Sequence, residues 1–264
     1  MPVRAGIVAV LLLAWTCASA TASVSLTAPG GTRLQVSGPA GEYEHADRRG
    51  VAIVIHAGGW LMVGANALRS EQRTVDLVAG AGWTAVNVDY RAGVRSVADV
   101  VAAYDWARRR YGPTTPICAL GSSAGGHLAL MLAARRPQLR CAVAMAAPTD
   151  LPALRATSPD LYYGPVLTVF GVDGDQQRRY SPIRYARTIR ARVLLATSAA
   201  DRVVPADQQV RYLERDRDAE GMLLSAGDQP FIHAPVSADA LRQFKAAARR
   251  LLRAVSRPSA DVRR

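Results

Sequence analysis

The sequence predicts an α/β fold, with a mostly parallel central sheet, helices on both faces and a short cap-like insertion. Three observations carry the prediction. Half of the 264 residues are hydrophobic, enough for a sizeable core in one large domain or two small ones, and too many for a disordered or collagen-like chain. Short apolar runs alternate with longer segments of helical periodicity, the pattern of βαβ units. Each intervening segment is long enough for a right-handed crossover.

The first residues, "MPVRAGIVAVLLLAWTCASATAS", place Arg4 before an apolar stretch from Ile7 to Trp15, followed by small residues around Ala18, Ala20 and Ala22. This is the pattern of a secretory signal peptide over residues 1–22, cleaved near Ala20 or Ala22. The stretch is shorter than the roughly 20 apolar residues that span a bilayer. A protein secreted or held in the cell envelope is expected, with no stable membrane insertion after cleavage. Acylation on Cys17 fits less well, with Trp15 and Thr16 before it. Removing this segment leaves Cys118 and Cys141, too few for a disulfide-dense scaffold or a cysteine-rich metal site.

Residues 24–36 alternate apolar and polar side chains around Pro29-Gly30-Gly31 and read as a hairpin at an antiparallel edge. From residue 51 the runs "VAIVIH", "TAVNVDY", "PICALG", "CAVAMAAP" and "RVLLATS" read as buried strands. Between and after them, segments 66–81, 94–111, 124–136, 206–219 and 237–254 read as helices. In the second of these, Val94, Val97, Val101 and Tyr104 recur at intervals of three and four and mark one apolar face. Residues 149–189 lose the period, with prolines at 152, 159, 165 and 182, and form an insertion within a single domain spanning 23–256. Its Leu161, Tyr162, Tyr163, Val166, Leu167 and Phe170 line an acyl pocket or pack the insertion on the core. Residues 257–264 form a basic tail.

The 33 basic against 21 acidic residues give a net charge of +12. Nucleic-acid binding would explain it, but the arginines are dispersed along helical segments without a basic motif or aromatic interleaving. A solvated arginine-rich surface, drawn toward anionic envelopes, is the better reading.

"CALGSSAGGHLAL" carries the chemistry. Gly121-Ser122-Ser123-Ala124-Gly125 sits where a strand turns sharply into a helix and matches G-x-S-x-G, with Ser123 at the centre. Upstream, "VAIVIHAGGW" ends a strand in two glycines, whose freedom lets backbone N–H groups converge on one point. Acyl transfer needs such donors to stabilise the developing oxyanion. A helix cap and a strand-ending turn are the plain alternatives for the two motifs.

Together the motifs resemble the α/β-hydrolase fold esterases and lipases, of the hormone-sensitive-lipase and small carboxylesterase kind, over roughly residues 45–255. "HAGGW" is similar to that family's His-Gly-Gly-Gly-Trp motif, "VDYR" at 88–91 to its Asp-Tyr-Arg segment, and "GSSAGGHLA" to its elbow. Ala57 stands where the family has a glycine. The resemblance implies oxyanion donors at Gly58, Gly59 and Ala124. It also implies a chain order of Ser, acid, His.

Of four histidines, His45 and His56 precede Ser123 and His127 follows it by one helical turn, so the order leaves His233. His56 is expected to shape the oxyanion loop, and His127 to pack or hydrogen-bond within its helix. For the acid, Asp201 after "RVLLATS" resembles the family's acid loop. Asp207 is the rival, explained by capping of the next helix.

The expected function is a secreted serine esterase for short-chain carboxylic esters, acting on a small-molecule ester through Ser123, Asp201 and His233 with no cofactor or metal. Peptide or amide hydrolysis and acyl transfer are alternatives on the same fold, and a catalytically silent binding module is an alternative of another class. Cys118 and Cys141 would lie near the ends of neighbouring parallel strands, close enough for a disulfide; two buried thiols packing as small hydrophobes is the other arrangement.

Overall fold

A computed structural model of the protein describes residues 23–38, 49–157, 167–168, 170–171, 173–227, 233 and 236–256. The expected signal segment 1–22, the expected tail 257–264, His45, Leu161, Tyr162, Tyr163 and Val166 lie outside the described residues.

An eight-stranded sheet runs β1(Ser23–Thr27), β2(Arg33–Ser37), β4(Thr84–Asp89), β3(Val51–Ile55), β5(Ile117–Ser122), β6(Cys141–Met145), β7(Arg192–Ser198), β8(Glu220–Leu224). β1 and β2 form the expected hairpin and pair antiparallel, β2 also pairs antiparallel with β4, and the other five pairings are parallel. The hairpin turns at Gly30 and Gly31, both at positive φ (90° and 86°), a conformation open to glycine at little cost. β8 was not legible: in "EGMLL" only Leu224 is buried, and neither an apolar run nor a strict alternation marks the strand.

The connections place α1(Ala65–Ser70), α2(Gln72–Ala79), α3(Arg95–Tyr111), α4(Ala124–Arg135), α7(Asp207–Arg215) and α8(Ala238–Val255) around the sheet. Alternation along each strand splits the core. Val51, Ile53 and Ile55 face one cluster with Val97, Val100, Leu128, Met131 and Tyr212, from α3, α4 and α7. Ala52 and Val54 face the other, with Val75, Val78, Leu251 and Leu252 from α2 and α8. The buried stripe of α3 is Val97, Val100, Ala103, Tyr104 and Ala107, so Val94 and Val101 lie at its margin. Ser237 caps α8 by accepting from the Ala240 N–H at 3.1 Å.

The insertion holds α5(Leu151–Thr157), α6(Gly174–Arg179) and a 3-10 turn at Pro182–Tyr185. Leu167 and Phe170 are fully buried in the first cluster, which assigns these two to packing.

Cys118 and Cys141 are register partners on β5 and β6 and are joined by a disulfide, with Cα atoms 4.6 Å apart. Both are fully buried. Among the described residues no helix is long and apolar enough to cross a membrane.

Candidate active site

The strand order brings the carboxyl ends of β3, β5 and β7 to one edge of the sheet, where the loops bearing the candidate residues begin. Ser123 follows the last residue of β5 and caps α4 at φ 52°, ψ −123°, a strained backbone for a residue with a side chain. Its N–H donates to the Met145 carbonyl at 2.8 Å, and its carbonyl accepts from the His127 N–H at 3.0 Å. The flanking glycines are required by close approach. A Cβ on Gly125 would overlap the Ile55 carbonyl oxygen and lie 2.7 Å from that of His56, while one on Gly121 would meet the Gly125 carbonyl carbon at 2.5 Å. This contact packs the elbow directly on the end of β3, beside the loop that carries the candidate oxyanion donors.

That loop reverses at Gly58 (φ 106°), Gly59 (φ 60°) and Trp60 (φ 60°). Ala57 is not at positive φ, so alanine there carries no left-handed strain and the departure from glycine is accommodated. Ala124 is buried at the start of α4.

"VDYR" anchors the loop from β4. Asp89 accepts from the Gly64 N–H at 2.6 Å and pairs with Arg33. Tyr90 donates to the carbonyls of His56 (3.0 Å) and Ala57 (3.2 Å). Arg91 forms an ion pair with the buried Asp99. His56 stacks on Tyr90 with ring centroids 3.9 Å apart, and its Nδ1 lies 2.7 Å from the Ala57 carbonyl. It shapes the loop, as expected, and burial lowers its basicity.

His127 departs from expectation. Its ring bonds outside its own helix, because α4 is buried on every side at that level. Trp60 Nε1–H, which can only donate, lies 3.1 Å from Nδ1, so Nε2 carries the proton and donates to the Tyr180 carbonyl at 2.7 Å. Phe170 packs edge-on against the same imidazole. One histidine thus joins the oxyanion loop, the elbow helix and the insertion.

Burial pushes the His127 pKa down to about 4. The unfolded chain therefore binds a proton that the folded chain refuses between about pH 6.5 and 4, so stability present above this window is lost as pH falls through it. The loss approaches about 3 kcal/mol, with His56 adding in the same direction. A thermal-melt series from pH 7 to 4 should show the decline, and His127→Gln, less stable at pH 7, should show a flatter profile.

Asp201 lies three residues beyond β7 with its side chain fully buried. Its Oδ1 accepts from the N–H groups of Val203 (2.8 Å) and Val204 (2.9 Å). His233 Nδ1 stands 3.1 Å from Oδ1 and 3.0 Å from Oδ2. Asp207 instead opens α7, partly exposed and paired with Arg211 at 3.2 Å. The structure therefore brings His233 together with Asp201 and places Asp207 in a different pairing.

Sequence reading passed over Glu71. Set in "ALRSEQRTV", it looks like part of a solvated helix face, and no periodic signal distinguishes it. It sits at the break between α1 and α2, only 6% exposed, and bonds to Ala57 beside the oxyanion glycines.

Residues 79–223, over half of the chain and including the elbow and Asp201, match the prolyl oligopeptidase family. The chain belongs to that family.

The carboxylesterase/phospholipase LipF of Mycobacterium tuberculosis is 32% identical over 142 residues, 51% of this chain and 37% of LipF. An esterase of Thermogutta terrifontis superposes with a TM-score of 0.68 at 20% identity, covering 92% of this chain and 95% of that one. A puromycin-hydrolysing peptidase of Mycobacterium tuberculosis gives 0.69 at 18% identity over 89% of this chain but 39% of its own. The chain thus spans under two fifths of the length of LipF and of that peptidase. The expected α/β-hydrolase fold, resembling esterases and lipases, is borne out, and the prolyl oligopeptidase family is the model that it matches.

Proposed function

We propose that the chain is a serine hydrolase that cleaves carboxylic esters through an acyl-enzyme. The observation that carries this reading is the Asp201–His233 pair on the loops beyond the strand ends, on the same sheet edge as a serine in a strained strand-to-helix turn. Asp201 holds the Nδ1–H of His233, leaving Nε2 to take the Ser123 proton as Oγ attacks the ester carbonyl. The N–H groups of Gly58, Gly59 and Ala124 stabilise the oxyanion, and the imidazolium then protonates the leaving alcohol. Water repeats the sequence and releases the acid. These groups carry the chemistry without a metal or organic cofactor.

The family match favours a second reading, hydrolysis of amides at the same serine. Matched p-nitrophenyl esters and p-nitroanilides separate the two: the ester reading expects kcat/KM to favour the ester beyond the ratio of the uncatalysed reactions. A fluorophosphonate probe tests both against a silent binding module, which would stay unlabelled.

Residues 1–22 are proposed to direct export, leaving the enzyme secreted or in the cell envelope. Amino-terminal sequencing of the protein recovered from outside the cytoplasm, expected to begin near residue 21 or 23, tests this.

Short acyl chains, of roughly two to six carbons, are the proposed substrates. An interfacial lipase presents a broad mobile apolar lid, whereas the helices described in this insertion run seven and six residues. Its Phe170 is committed to a ring cluster with Trp60 and Tyr180. Measured across acetate, butyrate, octanoate and palmitate esters, kcat/KM should fall toward palmitate without a rate jump at an emulsion interface. A rise toward palmitate would overturn the proposal.

A further inference from the structure

Glu71 is a buried carboxyl that the triad chemistry does not use. Its Oε1 accepts from the Ala57 N–H at 3.4 Å, immediately before Gly58 and Gly59. Its Oε2 accepts from the Thr74 hydroxyl at 2.8 Å, which ties it to α2. Ser122, immediately before Ser123 and Ala124, lines the same cavity as Glu71. One side chain therefore bonds to the segment that supplies Gly58 and Gly59 and lies beside the segment that supplies Ala124, and helix α2 fixes its position.

We infer that Glu71 is a positioning residue that fixes the oxyanion donors by holding the Ala57 peptide to helix α2, beside the Ser122 segment. The inference rests on the serine-hydrolase reading. Its physical basis is that an oxyanion hole works only if its donors are fixed before charge develops. The donors come from two loops, which the Trp60–His127 hydrogen bond joins on one side. The elbow glycines pack against the end of β3, which sets how closely the loops approach. Tyr90 and the N–H groups of Leu61 and Met62 hold the carbonyls of His56, Ala57 and Gly58. Glu71 holds the Ala57 peptide by its N–H, the other end of the same amide plane as the His56 carbonyl. Burial pushes the Glu71 carboxyl above its ordinary range, and the bonds from Thr74 and Ala57 pull it back. Ala57 and Thr74 present one hydrogen to each oxygen, so an acceptor on both oxygens is what the position requires. A cavity of about 240 Å³ lies beside it, lined by Met145, Val236, Phe244 and Lys245, so an alanine there leaves space that water can enter.

The test compares Glu71→Ala and Glu71→Gln with wild type in the full chain. For each, kcat and KM are measured on p-nitrophenyl butyrate, Ki on an alkylboronic acid that forms a tetrahedral adduct at Ser123, and folding by circular dichroism. Glu71→Ala should lower kcat about 30-fold or more, in line with the loss of a fixed donor, with KM changed less than about threefold and boronate Ki rising in step with the kcat loss. Glu71→Gln keeps one acceptor oxygen and should fall between, about three- to tenfold below wild type. A folded variant with wild-type kcat overturns the inference, as does a rise in KM alone, or a kcat loss with boronate affinity intact. If Glu71→Ala does not fold, Glu71→Gln decides by the same criteria. Failure of the wild-type protein to react with a fluorophosphonate overturns the hydrolase reading and this inference with it; labelling of wild type with unchanged Glu71 variants overturns the inference alone.

Discussion

Replacing Ser123 by alanine is expected to abolish ester hydrolysis, a loss of about 10⁴- to 10⁶-fold in kcat, while the melting temperature stays near that of wild type. The substitution removes one oxygen from a partly buried site. The bonds that fix the turn, from the Ser123 N–H to Met145 and from the His127 N–H to the Ser123 carbonyl, use only backbone atoms. Alanine meets the same positive φ of 52° that serine does. Ser122→Ala should cost less than about tenfold, since Ser122 is the last residue of β5 and lines the cavity beside Glu71. Kinetics and fluorophosphonate labelling of both variants check the assignment, and exchanged phenotypes would move the nucleophile to Ser122.

Asp201→Asn is the second large effect, expected to lower kcat about 10⁴-fold with Asp207→Asn within about twofold of wild type. The N–H groups of Val203 and Val204 both point at Oδ1, so the asparagine carbonyl settles there and its NH2 takes the place of Oδ2, facing His233 Nδ1. Nδ1 must then accept, which leaves the ring proton on Nε2. A histidine in that tautomer cannot receive the serine proton. Asp207 has only its helix and Arg211 to lose. Equal losses in the two variants would mean that the acid lies elsewhere.

What was legible in the sequence follows from periodicity and local geometry. β3 to β7 stood out because both faces of each strand are covered, so their residues are apolar almost without interruption. The elbow stood out because only glycine permits the approach of β5 and α4 to Ile55. The choice of Asp201 over Asp207 rested on resemblance to the family's acid loop and on helix capping by Asp207, and the side-chain partners now distinguish them. Glu71 and the partners of His127 could not be read from pattern, because both join residues more than a dozen positions apart through side chains that look ordinary in a helix. The hydrophobic period records which face of a helix is covered. It does not record which polar group on that face finds a partner.

The disulfide between β5 and β6 closes a loop of 23 residues that contains the elbow and all of α4. Such a cross-link chiefly restricts the unfolded chain, here by roughly 3 kcal/mol. Because both sulfurs are sealed within the sheet, a reducing agent in solution reaches them only when the two central strands part. The rate at which the bond yields to reductant is therefore a chemical clock for the opening of the sheet's centre, and it runs independently of whether the serine has reacted.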